Sequence, residues 1–314
     1  MNIRPFRSGD EPVQAEIYNS AAAAFPFFKP ATAPEVQRRT RGRDFDPHTR
    51  FYAEADGKVV GYATYQPNGR ISFPWTLAGH EAVAEPLFER VIQAMRERGM
   101  NRAFAAYRPD WMGVHDFFLG HGFHKAREVM NFLIDLVDMP TPSARVANVV
   151  TPVTSADIPA ILRMCPPALR VQSEEALERH LLRNPYFGTQ SVFALRRRSD
   201  DAPVGVGVLV AEPTFAKPRA VDSNMPCYRL GAFGSEGMTT KRINGLFSFV
   251  CRPDANVYAV GMDLMAQAAF RLRDNDDLDC LAAQVGSDAP NLLAFYQRNF
   301  RLQGAFPVFE RALP

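Results

Sequence analysis

The side chains of this chain that could do covalent, metal or ion chemistry are few and scattered. Cys165, Cys227, Cys251 and Cys280 all fall in its second half. No two form a Cys-x-x-Cys pair and no histidine stands at ligand spacing, so neither a zinc site nor a disulfide framework is indicated and no metal is expected. Cys251, closing a strand-like segment, would need a lowered pKa to act as a nucleophile. Nothing near it in sequence supplies one, so it reads as a packing thiol. Arg38-Arg39-Thr40-Arg41-Gly42-Arg43 is the densest basic run, and Arg196-Arg197-Arg198 precedes Asp200-Asp201, with which it is expected to pair. A solvated face is the default for such runs. Thirty-six Lys and Arg against 34 Asp and Glu leave a net charge of +2. That argues against nucleic acid or an anionic membrane as the main partner.

The elements that must position any site occur in two copies. Pro5, Ser8, Asp10 and Pro12 have the spacing of Pro152, Ser155, Asp157 and Pro159, 147 residues on (152 − 5). A period of that length suits a duplicated domain rather than a solenoid. The first copy reads as a strand near Asn2 to Phe6, then a helix capped by Ser8 or Asp10. A hairpin turned at Asp56-Gly57 and a short strand at Ile71 to Trp75 follow. A helix carrying Val83, Leu87, Val91 and Met95 ends at Gly99; a strand at Arg102 to Tyr107, a helix near Met112 to Leu119, Gly122-Phe123 and a strand at Val129 to Leu136 complete it. The second copy repeats that order, with an insertion from Pro213 to Ile243. The domains are therefore 1–138 and 149–314, joined by a Pro-bearing linker, 139–148. No stretch has signal-peptide or membrane-span character, which predicts a cytoplasmic protein.

This order, with Gly122-Phe123 after Phe118, the Val60-Gly61 and Val204-Gly205 hairpin strands and the helix from Leu87-Phe88 to Arg98-Gly99, resembles the GNAT N-acetyltransferase superfamily. The resemblance covers both copies and implies a mixed α/β fold of two tandem GNAT-like domains. It also implies acetyl-CoA or a related acyl-CoA as co-substrate. In that family a Gln/Arg-x-x-Gly-x-Gly/Ala turn before the long helix binds the pyrophosphate through backbone N–H groups. The first helical turn has free donors and a positive dipole end, and glycine lets phosphate approach the backbone. In the second copy Asn256, Ala259 and Gly261 fall on the motif, so the resemblance assigns the cofactor to Asn256, Val257, Tyr258, Ala259, Val260 and Gly261. Arg252 would supply positive charge, while Asp263, read as first-turn, would oppose a diphosphate. In the first copy Gly79, Ala82 and Ala84 take these positions and Pro86 removes a donor, which implies a weakened or lost site.

Transfer of an acyl group to an amine needs a base, an oxyanion donor and an acid for the departing thiolate. The family's usual acid, a tyrosine, is Phe118 in one copy and Phe295 in the other, so Tyr296, the adjacent residue, becomes the candidate acid. Asp288 falls where the family often has Asn and Asn291 is close by, and either holds the pantetheine or caps the helix that starts there. Glu212 and Glu236 are candidate bases, each weighed against an ordinary solvated carboxylate. The expected acceptor is a small-molecule or peptide amine attacking directly, with no nucleic-acid or membrane partner, and pairing into a homodimer is left open. The alternative is a non-catalytic tandem module that binds acyl-CoA or another ligand as a sensor or interaction domain.

Overall fold

A computed structural model describes residues 1–40, 45–140, 148–164, 173–183, 187–197, 202–211, 243–273 and 279–314. Glu212, Glu236, Cys165, Cys227, Asp200, Asp201, most of the linker and nearly all of the insertion lie outside them. The strands are β1 (Asn2–Pro5), β2 (Arg50–Ala55), β3 (Lys58–Thr64), β4 (Trp75–Thr76), β5 (Arg102–Ala106), β6 (His124–Asp135), β7 (Asn148–Pro152), β8 (Val192–Arg197), β9 (Pro203–Ala211), β10 (Ile243–Cys251), β11 (Cys280–Gly286) and β12 (Arg301–Ala312). The helices are α1 (Glu11–Ala22), α2 (Ala33–Thr40), α3 (Ala84–Glu97), α4 (Met112–Gly120), α5 (Ile158–Met164), α6 (Glu174–Leu182), α7 (Val257–Leu272) and α8 (Pro290–Asn299).

The chain forms two compact units, and they are not the two consecutive copies. Unit 1 is Met1–Arg127 with Phe306–Pro314, and unit 2 is Glu128–Ala305. In unit 1, β5 pairs antiparallel with the end of β12, Phe309 standing opposite Ala105. In unit 2, β11 pairs antiparallel with β6, Phe132 opposite Ala283. Phe132 and Phe309 hold equivalent places in the two copies, so the copies have exchanged their last strands. An exchanged strand makes the same ladder as an unexchanged one, and its residue pattern carries no mark of which sheet it joins. The expected division at 138–149 therefore differs from the division by compactness.

Within unit 1, β1-β2-β3-β4 form an antiparallel sheet around the Asp56-Gly57 turn, where both residues have positive φ (50° and 74°) as a tight hairpin requires. Leu87, Phe88, Val91, Ile92 and Met95 of α3 are buried against it. Unit 2 has the sheet order β6-β11-β10-β9-β8-β7. One of its faces packs α7 and α8 through Phe249, Leu264, Phe295 and Tyr296, and the other packs α5 and α6 through Ile161, Leu177, Val206 and Val250.

The duplicated aspartate is a buried electrostatic anchor in both copies, and at Asp157 it also closes a capping box with Thr154. Asp10 occupies the N-cap position of α1, but its carboxylate makes no capping bond. It accepts from the Arg7 amide (2.6 Å) and from both terminal nitrogens of Arg4 (2.7 and 2.8 Å), while Arg4 Nε donates to Glu54 (2.5 Å). In unit 2, Asp157 accepts from the Thr154 amide (2.9 Å) and from Arg196 (2.7 Å), whose Nε donates to Thr151 (2.8 Å). Arg196 thus pairs with Asp157, while its expected partners Asp200 and Asp201 lie outside the described residues. Burial pushes the Asp157 carboxyl up, but the Thr154 amide and the Arg196 guanidinium reverse this and leave it below the usual carboxylate range. The strand registers make Arg4 equivalent to Thr151 and Glu54 equivalent to Arg196. The cation has moved from the first strand to the second, and the aspartate has stayed.

Trp75 and Trp111 are the chain's two tryptophans and both lie in unit 1, so their fluorescence reports on that unit. Arg4→Thr strips two carboxylates of their partner and is expected to cost unit 1 about 3–5 kcal/mol in urea unfolding. Adding Glu54→Arg rebuilds the unit 2 arrangement and is expected to recover most of that loss; no recovery would refute the equivalence. A second expectation concerns His115, which is buried against Phe309 with ring centroids 5.0 Å apart. Burial lowers its pKa from the ordinary 6.5, against the opposing pull of the Arg108 and Tyr107 backbone. The unfolded chain therefore takes the proton first, and unit 1 should be fully stable above about pH 6.5 and weaken as pH falls below it. His115→Leu should flatten that slope.

Candidate functional site

In unit 2 the candidate site is built on a parting of parallel strands. β10 and β11 pair only at Ile243, Gly245 and Leu246, opposite Cys280, Leu281 and Ala282, whereas β10 keeps its antiparallel pairing with β9 up to Cys251. From Phe247 onward one edge of β10 therefore has no strand ladder among the described residues. Backbone groups along such an edge need partners from elsewhere. Alternation sends Phe247, Phe249 and Cys251 toward α7 and α8, and Ser248 and Val250 to the opposite face.

Tyr296 comes to this opening from α8. Its ring stacks on Phe132 (5.9 Å, 23°) and its residue is 1% exposed. The hydroxyl makes no hydrogen bond of normal geometry; the Ser248 side chain and the Phe249 backbone are the polar groups that face it. Burial drives its pKa well above the ordinary tyrosine range, so it stays a neutral donor at any physiological pH. Phe295, at the family's acid position, turns toward α7 instead.

α7 follows β10 through a short loop, and its start departs from the expected motif at several positions. Asn256 is the N-cap, its Oδ1 accepting from the Ala259 amide (3.0 Å), and the Val260 amide donates to the Asn256 carbonyl (3.0 Å). Ala259 and Val260 thus lose their donors to the chain itself, which leaves the amides of Val257 and Tyr258 without an acceptor inside the helix. Gly261 is walled off from solvent: a Cβ there would stand 2.6 Å from Phe295 and 2.7 Å from Phe249. Its missing side chain serves ring packing, not phosphate access. Arg252 lies outside the helix and forks onto Asp254 (2.9 and 2.6 Å), so its charge is largely matched. Asp263, expected in the first turn, is the seventh residue of α7, about 9 Å along the axis from its start. Asn291 is exposed in the first turn of α8, where Ala289 holds the N-cap position, so Asn291 is not the cap, and neither is Asp288.

The positive charge at this helix start comes from a residue that the sequence reading missed. Arg298, in the last turn of α8, places its guanidinium 4.6 Å from the centre of the Tyr258 ring. Tyr258 in turn tilts against Phe295 at 5.9 Å. The sequence carries no local signal for this, because Arg298 and Tyr258 meet only when α7 and α8 pack side by side.

In unit 1 the corresponding loop and strand end are held by the unit's own side chains. Glu81 accepts from the Gly79 amide (2.9 Å), and the Glu81 and Gly79 amides hold its carboxyl below the usual range, so an internal anion sits on the loop before α3. At the strand opening, where Arg70 and Phe104 form a parallel bridge and the Ile71 amide donates to the Phe104 carbonyl, Tyr107 accepts from the Phe73 amide at 2.6 Å. Trp111 and Phe118 stack on that half-buried tyrosine. Among the described residues no group of three His, Cys, Asp or Glu converges as a metal site, and no helix is long and apolar enough to cross a membrane.

A scan of protein-family models finds no match, and a search of curated proteins finds no relative. Solved structures are similar in fold. A GCN5-related N-acetyltransferase from Sphaerobacter thermophilus aligns over 99% of this chain and 95% of its own, with TM-score 0.64 and 13% identity. A GCN5-related glucosamine N-acetyltransferase region of a fungal multi-domain GH3 β-N-acetylglucosaminidase gives TM-score 0.67 at 12% identity, over 99% of this chain and 38% of that one. A tandem GNAT protein from the clavulanic acid biosynthesis pathway gives TM-score 0.54 at 13% identity, over 100% and 98%. The chain has the tandem GNAT fold.

The packing role of Gly261 predicts that Gly261→Ala lowers the stability of unit 2 by about 1–3 kcal/mol through overpacking against Phe295 and Phe249. Urea unfolding followed by far-ultraviolet circular dichroism reads this. An unchanged midpoint would return the glycine to a role in ligand access.

Proposed function

We propose that this chain is an acyltransferase that moves an acetyl or other acyl group from acyl-CoA to an amine, and that unit 2 holds its working site. The observation that carries the reading is the buried Tyr296 hydroxyl, left without a partner beside the open edge of β10. The fold's likeness to acetyltransferases supports acyl transfer in general. When bound, acyl-CoA supplies a thioester whose carbonyl carbon an amine can attack.

The residues present fit such a group. The Val257 and Tyr258 amides, at the positive end of the α7 dipole, and the Arg298 guanidinium suit a diphosphate. The free edge of β10 offers backbone groups to an extended amide-bearing arm. Tyr296 Oη, neutral and poorly hydrated, is suited to donate its hydrogen to a departing thiolate; a desolvated donor beside developing charge is worth far more than one in water. Glu212 and Glu236 stay as the proposed bases, and a small-molecule or peptide amine as the acceptor. Unit 1, with Glu81 and Tyr107 in the corresponding places, is proposed to bind no acyl-CoA.

A second reading, a sensor that binds acyl-CoA without turnover, is favoured by one observation. Tyr296 is almost wholly enclosed and its pKa is raised, which holds it back from giving up its proton.

Calorimetry on the full chain tests the first reading. One acetyl-CoA per chain is expected, and Arg298→Glu should weaken binding at least tenfold by reversing the charge at the helix start. No saturable binding would refute it, and a ratio of two would refute the closure of unit 1. Tyr296→Phe should leave binding intact and slow thiol release to an amine by about 10²-fold or more; unchanged release would remove Tyr296 from the chemistry.

A further inference from the structure

The face of the unit 2 sheet opposite α7 and α8 carries a polar pair that neither the repeat nor the cofactor site uses. Asn131 on β6 stands directly across from Gln284 on β11, and Gln284 Nε2 donates to Asn131 Oδ1 at 2.9 Å. Asn131 is 5% exposed, and its Nδ2 has no hydrogen-bond partner. Gln284, by contrast, is open to solvent. A buried amide donor left unpaired is costly, and so is uncommon unless water or a ligand completes it.

The strand registers place this pair beside the opening. Leu246 stands next to Ala282, so two residues further on Ser248 and Gln284 lie on the same face, on either side of the gap where β10 and β11 part. Asn131 continues that row onto β6. The Tyr296 hydroxyl faces Ser248 from the other side of the sheet. A row of Ser248, Gln284 and Asn131 therefore runs outward from the proposed reacting centre, made of neutral groups only. The nearest charged side chains on that face of β6 are Arg127, paired with Glu310, and Asp135, held by Arg301 at 3.2 Å, each four residues or about 13 Å along the strand. No cation of the row is available to neutralise a carboxylate. The amide of Asn131 offers N–H donors, and Gln284 keeps its Oε1 as an acceptor; a neutral primary or secondary amide satisfies both at once.

We infer that Asn131 and Gln284 are specificity residues for the acceptor, and that the acceptor is an amine carrying a neutral amide near its nitrogen, as at the start of a peptide or in an amino amide. The inference rests on the acyltransfer reading of unit 2 and deepens it. The pair selects the amine's neighbouring group and does not touch the reacting atoms.

The test uses the full chain, acetyl-CoA and three small amines: glycinamide, glycine and ethylamine, with thiol release as the readout. Glycinamide should show a KM at least tenfold below those of glycine and ethylamine. Asn131→Leu should raise the glycinamide KM about tenfold while leaving kcat, the ethylamine KM and the calorimetric Kd for acetyl-CoA unchanged. Because Asn131 is buried and its replacement could unfold the sheet, Gln284→Leu at an exposed site provides an independent variant with the same expected shift. Equal KM values for the three amines, or a glycinamide preference that survives both substitutions, would overturn the inference with the acyltransfer reading intact. Should turnover be too slow to follow, saturation-transfer NMR on the acetyl-CoA-loaded chain reads amine binding directly, and absence of glycinamide binding overturns it equally. Failure of the underlying reading is separate, since it shows as no acetyl-CoA binding before any amine is added.

Discussion

The parting of two parallel strands is the constraint from which the rest of unit 2 follows. While β10 and β11 run side by side, each satisfies the other's backbone. Once they diverge, one edge of β10 has no strand ladder among the described residues, and such an edge must be filled or must bind something. α8 answers part of this with Tyr296, and the rings of Phe249 and Phe295 close over Gly261 behind it. The packing of α7 against α8 then brings Arg298 onto Tyr258. A single divergence in the sheet thus fixes where the aromatic wall, the hydroxyl and the guanidinium stand.

Unit 1 meets the same constraint with a different solution. Its opening is closed by Tyr107 from the end of its own β5, and its loop amides hold Glu81. The contacts are a hydroxyl oxygen on a strand amide and a carboxylate on a helix-start loop. The proposal that unit 1 binds no acyl-CoA rests on this self-occupation. The anchors at Asp10 and Asp157 have followed a different course. Their geometry is kept although the arginine that completes each comes from a different strand.

Local features were legible in the sequence because their causes are local. Asp56-Gly57 turns the hairpin as expected, since nothing outside four residues decides it, and the stripe through Leu87, Val91 and Met95 finds the face of α3 that is buried. Features set by tertiary partners were not legible. Asp10 looked like a cap because its spacing is that of a cap, and only folding brings Arg4 to claim it. Gly261 looked like a phosphate glycine, yet the atoms that forbid its Cβ belong to Phe249 and Phe295 on other elements. Tyr296, the proposed acid, is one residue from the position where the resemblance places a tyrosine, and Ser248, Asn131 and Gln284 of the proposed acceptor row are ordinary strand residues that give no signal until the registers align them.

The exchanged strands bear on how the molecule comes into being as well as on how it is arranged. Glu310 of β12 binds Arg102, the first residue of the strand it covers, across 208 residues of chain. At translation rates of about 5–20 residues per second, β5 waits on the order of 10–40 s on the ribosome before its neighbour exists. Throughout that interval unit 1 has most of its core and a raw sheet edge, the kind of surface that invites a second nascent chain or a chaperone. The N-terminal unit is thus synthesised first and completed last, and a break anywhere downstream would strand it unfinished.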